Sequence, residues 1–156
     1  MALDFSDNKS NIWIATVNGV SVLTASKIDS AEIHNPIRSD NSGLVSNRVS
    51  SVAVDTGQVK WFGTDQGISF NINEVWETYT KWDLLPANVI LAIAATLDNW
   101  VYLGTASGGV ARVQYDKVDG ISGASTIDTD WSSIASDTVL SILIDSDDNK
   151  WYGNSN

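Results

Sequence analysis

The sequence predicts an all-β fold of repeated four-stranded antiparallel sheets, and three observations carry that prediction. Four six-residue windows align on an aromatic position, NIWIAT at 11–16, VKWFGT at 59–64, WVYLGT at 100–105 and NKWYGN at 149–154, with spacings of 48, 41 and 49 residues. Self-similarity at such a period marks a repeat architecture. Val, Ile, Thr and aromatic residues dominate the intervening runs, and glycine and polar residues interrupt them at the short intervals typical of strands. No apolar period of 3.6 residues is sustained anywhere, so helix is expected to be almost absent.

The elements follow in order along the second copy. Val49 to Val54 is apolar on both faces, as are ILAIAA at 90–95 and VLSILI at 139–144. That pattern suits an innermost strand held between two neighbouring sheets. Asp55 to Gln58 reads as a turn, Val59 to Gly63 as a second strand around Trp61, and Asp65 to Gly67 as a tight turn. Ile68 to Ile72 is the third strand and Val75 to Thr80 the outer fourth. The same order recurs from ALDFS through Trp13 and Gly19, from ILAIAA through Tyr102 and Gly108 with Gly109, and from VLSILI through Trp151. Asp7, Asp55, Thr96 and Asp145 each stand six residues before the aromatic position.

Four strands in one such period is the size of a β-propeller blade. The expected division is a single domain with blade 1 at about 1–42, blade 2 at about 43–83, blade 3 at about 84–132 and an incomplete blade 4 at about 133–156. The polar stretch 116–130, DKVDGISGASTIDTD, accounts for the longer last spacing as an extended outer strand or loop insertion. Trp13, Trp61 and Trp151 are expected to fill the space between blades. About three and a half blades fall short of the roughly four to eight of a closed ring. The chain is therefore expected to be a partial ring, either part of a longer propeller or completed by pairing with copies of itself.

Composition bounds the function. The 156 residues are 43% hydrophobic and 18% charged, enough apolar material for one or two cores. Nineteen acidic residues against nine basic ones give a net charge of −10, which repels nucleic-acid phosphates. The longest nearly apolar run, Val89 to Ala95, is far shorter than the roughly 20 residues of a membrane-spanning helix. No basic, apolar leader opens the sequence. A soluble segment without membrane contact is expected, any export signal lying outside it. The absence of cysteine removes disulfides, thiolate nucleophiles and cysteine zinc sites.

The string N-x-V-x-x-I-x-x-D, a short turn, W-x-G-T and a glycine turn resembles the two-component regulator propeller repeat. Asn47, Val49, Val52, Asp55, Trp61, Gly63, Thr64 and Gly67 match it in the second copy, and the resemblance covers nearly the whole chain. The copies depart at Thr96 for the aspartate, Tyr102 for the tryptophan and Asn154 for the threonine. The resemblance implies a sensor domain of a bacterial hybrid two-component system, located in the periplasm or outside the cell. Such a domain recognises a small molecule, often an oligosaccharide, without catalysing its conversion and without a cofactor.

Residues for chemistry are few. His34 is the single histidine and has no nucleophile signature beside it, so it reads as a loop residue of the first blade. Asp145, Asp147 and Asp148 offer hard oxygen ligands for calcium but lack the EF-hand spacing, and Asp145 occupies the turn position of Asp7 and Asp55. A turn cap is the expected role. The aspartate-to-tryptophan spacing is one residue longer than in the Asp-box of sialidases, and Arg38, Arg48 and Arg112 form no recognisable triad. A lactonase-like set of scattered metal ligands leaves no short motif, and half a ring would lack part of it. No metal ligands are assigned.

Recognition fits the loops better. Loops joining the fourth strand to the next blade, and turns joining second to third strands, gather on one face of a propeller. Asn18, Asp65, Gln66 and Ser107 lie in such turns, and Trp82 and Trp131 near such loops. Amide, carboxylate and hydroxyl groups beside indole suit carbohydrate, whose hydroxyls need partners and whose apolar faces stack on aromatic rings. These six are the candidate ligand-binding residues.

Overall fold

A computed structural model describes residues 2–4, 11–24, 35–116 and 120–155, with residues 2–4 as backbone. His34 and Asp7 lie outside the described residues. The described chain has thirteen strands and no helix. They are β1 (Ala2–Asp4), β2 (Asn11–Thr16), β3 (Gly19–Thr24), β4 (Val49–Val54), β5 (Lys60–Thr64), β6 (Ile68–Ile72), β7 (Val75–Tyr79), β8 (Ile90–Ala95), β9 (Trp100–Thr105), β10 (Val110–Asp116), β11 (Gly120–Ile127), β12 (Val139–Ile144) and β13 (Lys150–Asn154). They form four antiparallel meanders in chain order, β1-β2-β3, β4-β5-β6-β7, β8-β9-β10-β11 and β12-β13.

The expected four-strand blade is present in full twice. The long spacing is absorbed by an extended outer pair, β10 and β11, whose register shifts at Gln114/Tyr115. In the first sheet the outer strand is reduced, among the described residues, to a single bridge between Val20 and Ile37.

Local chemistry explains the turns. The Asp55 carboxylate accepts the Val59 backbone N–H at 2.9 Å and the Trp61 indole N–H at 3.0 Å. It thereby closes the β4–β5 turn and fixes the ring in one bond set. Gln58, Asn99 and Asp148, three residues after Asp55, Thr96 and Asp145, all adopt positive φ near 65°. Such left-handed positions tolerate short polar residues best. At the other end of the second strand, the hydroxyls of Thr16, Thr64 and Thr105 donate to the carbonyls of Gly19, Gly67 and Gly109 at 2.8, 2.8 and 2.9 Å. The motif threonine is thus a turn clasp.

The sheets stack face to face along the chain. Strand register places Trp13, Ala15 and Val20 of the first sheet on the side of the second, where Val49, Val52 and Phe62 meet them. Trp13 and Phe62 rings lie 5.9 Å apart. Ala53, Trp61, Ile68 and Phe70 form the opposite face of the second sheet and pack on Ile93, Val101, Leu103, Val113 and Tyr115 of the third. Tyr102 and Val110 then meet Val139, Ile142 and Tyr152 of the fourth. Polar stitches accompany this stacking. Ile93 N–H donates to Ser51 Oγ at 3.0 Å, and Ser50 Oγ donates to the Ile90 carbonyl.

The motif glycine makes the approach possible. A Cβ on Gly63 would lie 2.7 Å from Ile90 Cγ2, and one on Gly104 would lie 2.9 Å from the Val139 carbonyl oxygen. Only hydrogen fits where the next inner strand crosses. Trp61 is fully buried, as expected for an inter-blade residue, whereas Trp151 on the outward face of the terminal sheet is 60% exposed.

Candidate functional site

The inner strands β4, β8 and β12 share one irregularity. Pairing with the second strand shifts between Val49/Ser51, Ile90/Ala92 and Val139/Ser141, leaving Ser50, Leu91 and Leu140 as bulge residues. A bulge bends the strand and re-aims its side chain. Ser50 and Leu91 line a cavity of about 570 Å³ at the inner ends of the first three sheets. Its wall is largely apolar, from Ala15, Val17, Val49, Val89 and Ile90, with Thr16, Arg48 and Asp65 as its other polar groups.

Asp65 follows the clasp residue Thr64 in the β5–β6 turn. Its Oδ1 is buried and has no hydrogen-bond partner among the described residues. A buried carboxylate oxygen without a donor is costly to maintain, and Asp65 is among the residues that line the cavity. Arg48 stands immediately before β4, at the position of Val89 before β8 and Thr138 before β12. It puts an exposed cation on the rim of the same cavity.

The other sequence candidates lie on the same loop face but outside the cavity lining. Asn18, Gln66 and Ser107 each stand two residues after a clasp threonine and are exposed. The backbone N–H groups of Asn18 and Gln66 both bond the preceding threonine hydroxyl at 3.1 Å. Trp82 and Trp131 occupy successive outer-strand-to-inner-strand loops and are 83% and 88% exposed. Lys81 Nζ sits 4.8 Å from the Trp82 ring centroid. The loops themselves are pinned by one recurring polar residue. Asn47, Asn88 and Asp137 accept the backbone N–H of Ser39, Lys81 and Thr129, each at 2.8 Å. Of the six candidates, then, the structure brings Asp65 alone to a concave site. Arg48 and Thr16 were missed. The signal for Arg48 was a cation where the other copies carry Val89 and Thr138.

The opposite face carries a second cleft, of about 520 Å³, between the turns at Thr96–Asp98 and Asp145–Asp148. Its carboxylates are engaged. Asp145 Oδ1 accepts the N–H groups of Asp147 and Asn149 at 3.0 and 2.8 Å, and Oδ2 accepts the Trp151 indole and Asn149 amide at 2.9 and 3.0 Å. Asp148 pairs with Lys150 at 2.6 Å. The arrangement is that of a turn cap.

These donors, the Trp151 indole first and Asn149 next, hold the Asp145 carboxyl down to about 2, from an ordinary value of 3.8. Because the folded value is the lower one, the stabilisation is complete above about pH 4 and is lost as pH falls toward 2. The carboxyl carbon resonance of Asp145 is expected to keep its ionised position through pH 4 and to titrate near pH 2. A midpoint near 4 contradicts the cap.

No protein-family profile and no curated protein sequence matches the chain. Solved structures do. The extracellular domain of a hybrid two-component system from B. thetaiotaomicron superposes with a TM-score of 0.78 at 20% identity, over 96% of this chain and 20% of that one. A one-component system from the same organism gives 0.75 at 19% identity, over 97% and 21%. Virginiamycin B lyase from Staphylococcus aureus gives 0.65 at 14% identity, over 97% and 47%. This chain thus spans about a fifth of the Bacteroides domains and just under half of the lyase. The likeness shows the fold: the chain is an arc of β-propeller blades, and extracellular domains of two-component-type systems are among the proteins that share it.

Proposed function

We propose that this chain is the non-catalytic recognition part of a sensor working in the periplasm or outside the cell, taking a small hydroxylated ligand, carbohydrate by preference, in the cavity beside Asp65. The observation that carries the reading is Asp65, which lines that cavity and whose buried Oδ1 has no hydrogen-bond partner among the described residues. Its volume falls within the roughly 300–1,000 Å³ of small-molecule sites. Carboxylate and guanidinium at the rim supply an acceptor and donors for hydroxyls, and the apolar wall covers the C–H faces of a sugar ring. Trp82 and Trp131, exposed on the same loop face, offer stacking surfaces for further residues of an oligosaccharide. The two-component-type extracellular domains sharing the fold support the sensor setting, while the lyase shows that the fold alone does not decide between binding and turnover.

Calorimetric titration of a glycan panel against the full chain tests this. One glycan class is expected to bind and to be recovered unchanged. Asp65→Asn is expected to weaken it about 10- to 100-fold, the worth of one hydrogen bond to a charged group. Affinity indifferent to Asp65→Asn, or conversion of the glycan, overturns the reading.

A further inference from the structure

Cations are scarce in this acidic chain, and nearly all the described ones are engaged. Arg38 Nε donates to the Asn18 carbonyl at 3.3 Å, Lys60, Lys81 and Arg112 stand over the rings of Trp13, Trp82 and Trp100, and Lys150 pairs with Asp148. Arg48 is the exception. Its guanidinium has no partner among the described residues, and only its backbone N–H is bonded, to Ser46 Oγ at 3.2 Å. It stands exposed on the rim of the cavity that Asp65 also lines. The other two polar side chains of that lining are already committed. Thr16 Oγ1 donates to the Gly19 carbonyl and accepts the Asn18 N–H, and Ser50 Oγ engages the carbonyls of Gly63 and Ile90. Two polar side chains are thus left for a ligand, one cation and one carboxylate, and they do not pair with each other. Every lining residue belongs to the first three sheets or to the segments and turns beside their strands.

A free guanidinium beside an apolar wall favours a particular substituent. Its planar fork matches a carboxylate, which accepts two parallel N–H bonds, whereas a neutral hydroxyl accepts a weaker one. The net charge of −10 does not by itself bar a small anion, because exposed charges are largely screened beyond about 8 Å at physiological ionic strength. Asp65 is the one acidic residue of the lining. As an acceptor it calls for an O–H or N–H elsewhere on the same ligand. We propose that Arg48 is the specificity-determining residue of this cavity and that the sugar it selects is a hexuronate, with the sugar carboxylate on Arg48 and a ring hydroxyl donating to Asp65. Before β8 and β12 the corresponding residues are Val89 and Thr138, which carry no charge, so among these three copies the second alone supplies the cation. The inference rests on the carbohydrate reading of the same cavity and narrows it to acidic sugars.

Paired calorimetric titrations of the full chain test it, galacturonic acid against galactose and glucuronic acid against glucose, each as the monomer and as a short oligomer. The acid of at least one pair is expected to bind about 10- to 100-fold more tightly than its neutral parent, the worth of a charge-assisted hydrogen bond. Arg48→Gln is expected to remove that preference with the melting temperature of the parent retained, since the side chain is exposed and bonds no other described residue. Arg48→Lys keeps the charge without the fork and is expected to retain part of the preference. Raising salt from about 50 to about 500 mM is expected to erode the advantage of the acid and to leave the affinity of the neutral sugar unchanged. Equal affinity for acid and parent, a preference that survives Arg48→Gln, or binding of a neutral glycan with no uronate bound overturns the assignment to Arg48, while the sugar reading stands if Asp65→Asn still weakens binding. Binding of no sugar at all overturns both.

Discussion

Trp61→Ala is expected to lower the unfolding free energy by about 3–5 kcal/mol, the range for deleting a large buried aromatic. The ring is fully buried, 4.5 Å from Phe70 and 5.5 Å edge-on from Tyr115, and its N–H satisfies the buried Asp55 carboxylate. Its removal opens a cavity between the second and third sheets and leaves Asp55 with one donor fewer at once. For a chain of this length the melting temperature is expected to fall by roughly 6–20 °C. Trp82→Ala is the control. At 83% exposure it is expected to change stability by about 0.5 kcal/mol or less. Equal effects of the two substitutions in thermal unfolding would show that Trp61 is not an inter-blade residue.

The second large effect concerns the pair to which Trp61 belongs. Asp55→Ala removes the acceptor for two N–H groups, those of Val59 and the Trp61 indole. Each buried unsatisfied donor costs about 1–3 kcal/mol, so a loss of about 2–6 kcal/mol is expected. The third copy shows what tolerates the change. There Thr96 replaces aspartate and Tyr102 replaces tryptophan together. The Thr96 hydroxyl still accepts the Trp100 backbone N–H at 3.0 Å, and it donates to Asp98. Tyrosine brings no indole N–H that would need the second carboxylate oxygen. Asp55→Thr with Trp61→Tyr is therefore expected to be less damaging than the sum of the single substitutions, by about 1–3 kcal/mol of coupling. Additive losses in denaturant titrations would mean that the two positions of the motif are independent.

Much of the fold was legible because its determinants are local and repeated. Val49–Val54 and Ile68–Ile72 were delimited by apolar runs and turn residues, and the structure has these bounds. The threonine of W-x-G-T and the glycine after it were visible as a pattern, though the hydroxyl-to-carbonyl clasp they form is a matter of geometry. The outer strand of the first sheet was less legible, since 25–34 fall outside the described residues and a bridge at Ile37 carries little sequence signal. The exposure of Trp151 also departed from expectation. Its sequence environment matches that of Trp61, and burial depends on a neighbour that a local pattern does not specify.

The candidate site was legible only in part, for a physical reason. Asp65 was found because turns on the loop face of a propeller are where ligand groups gather. Cavities, however, arise where three sheets converge, and the residues there come from 15–17, 48–50, 65 and 89–91. No short window contains them. Trp82 and Trp131 drew notice by residue type, and their loops hold them out to solvent, outside the cavity lining.

Sequential radial stacking is most directly tested by the pattern of side-chain nuclear Overhauser contacts in the assigned protein. The stacked arc predicts contacts only between successive sheets, with Trp13 to Phe62, Trp61 to Tyr115 and Tyr102 to Tyr152 among them. Contacts that join the first sheet face to face with the third, as in a two-layer sandwich, would contradict it.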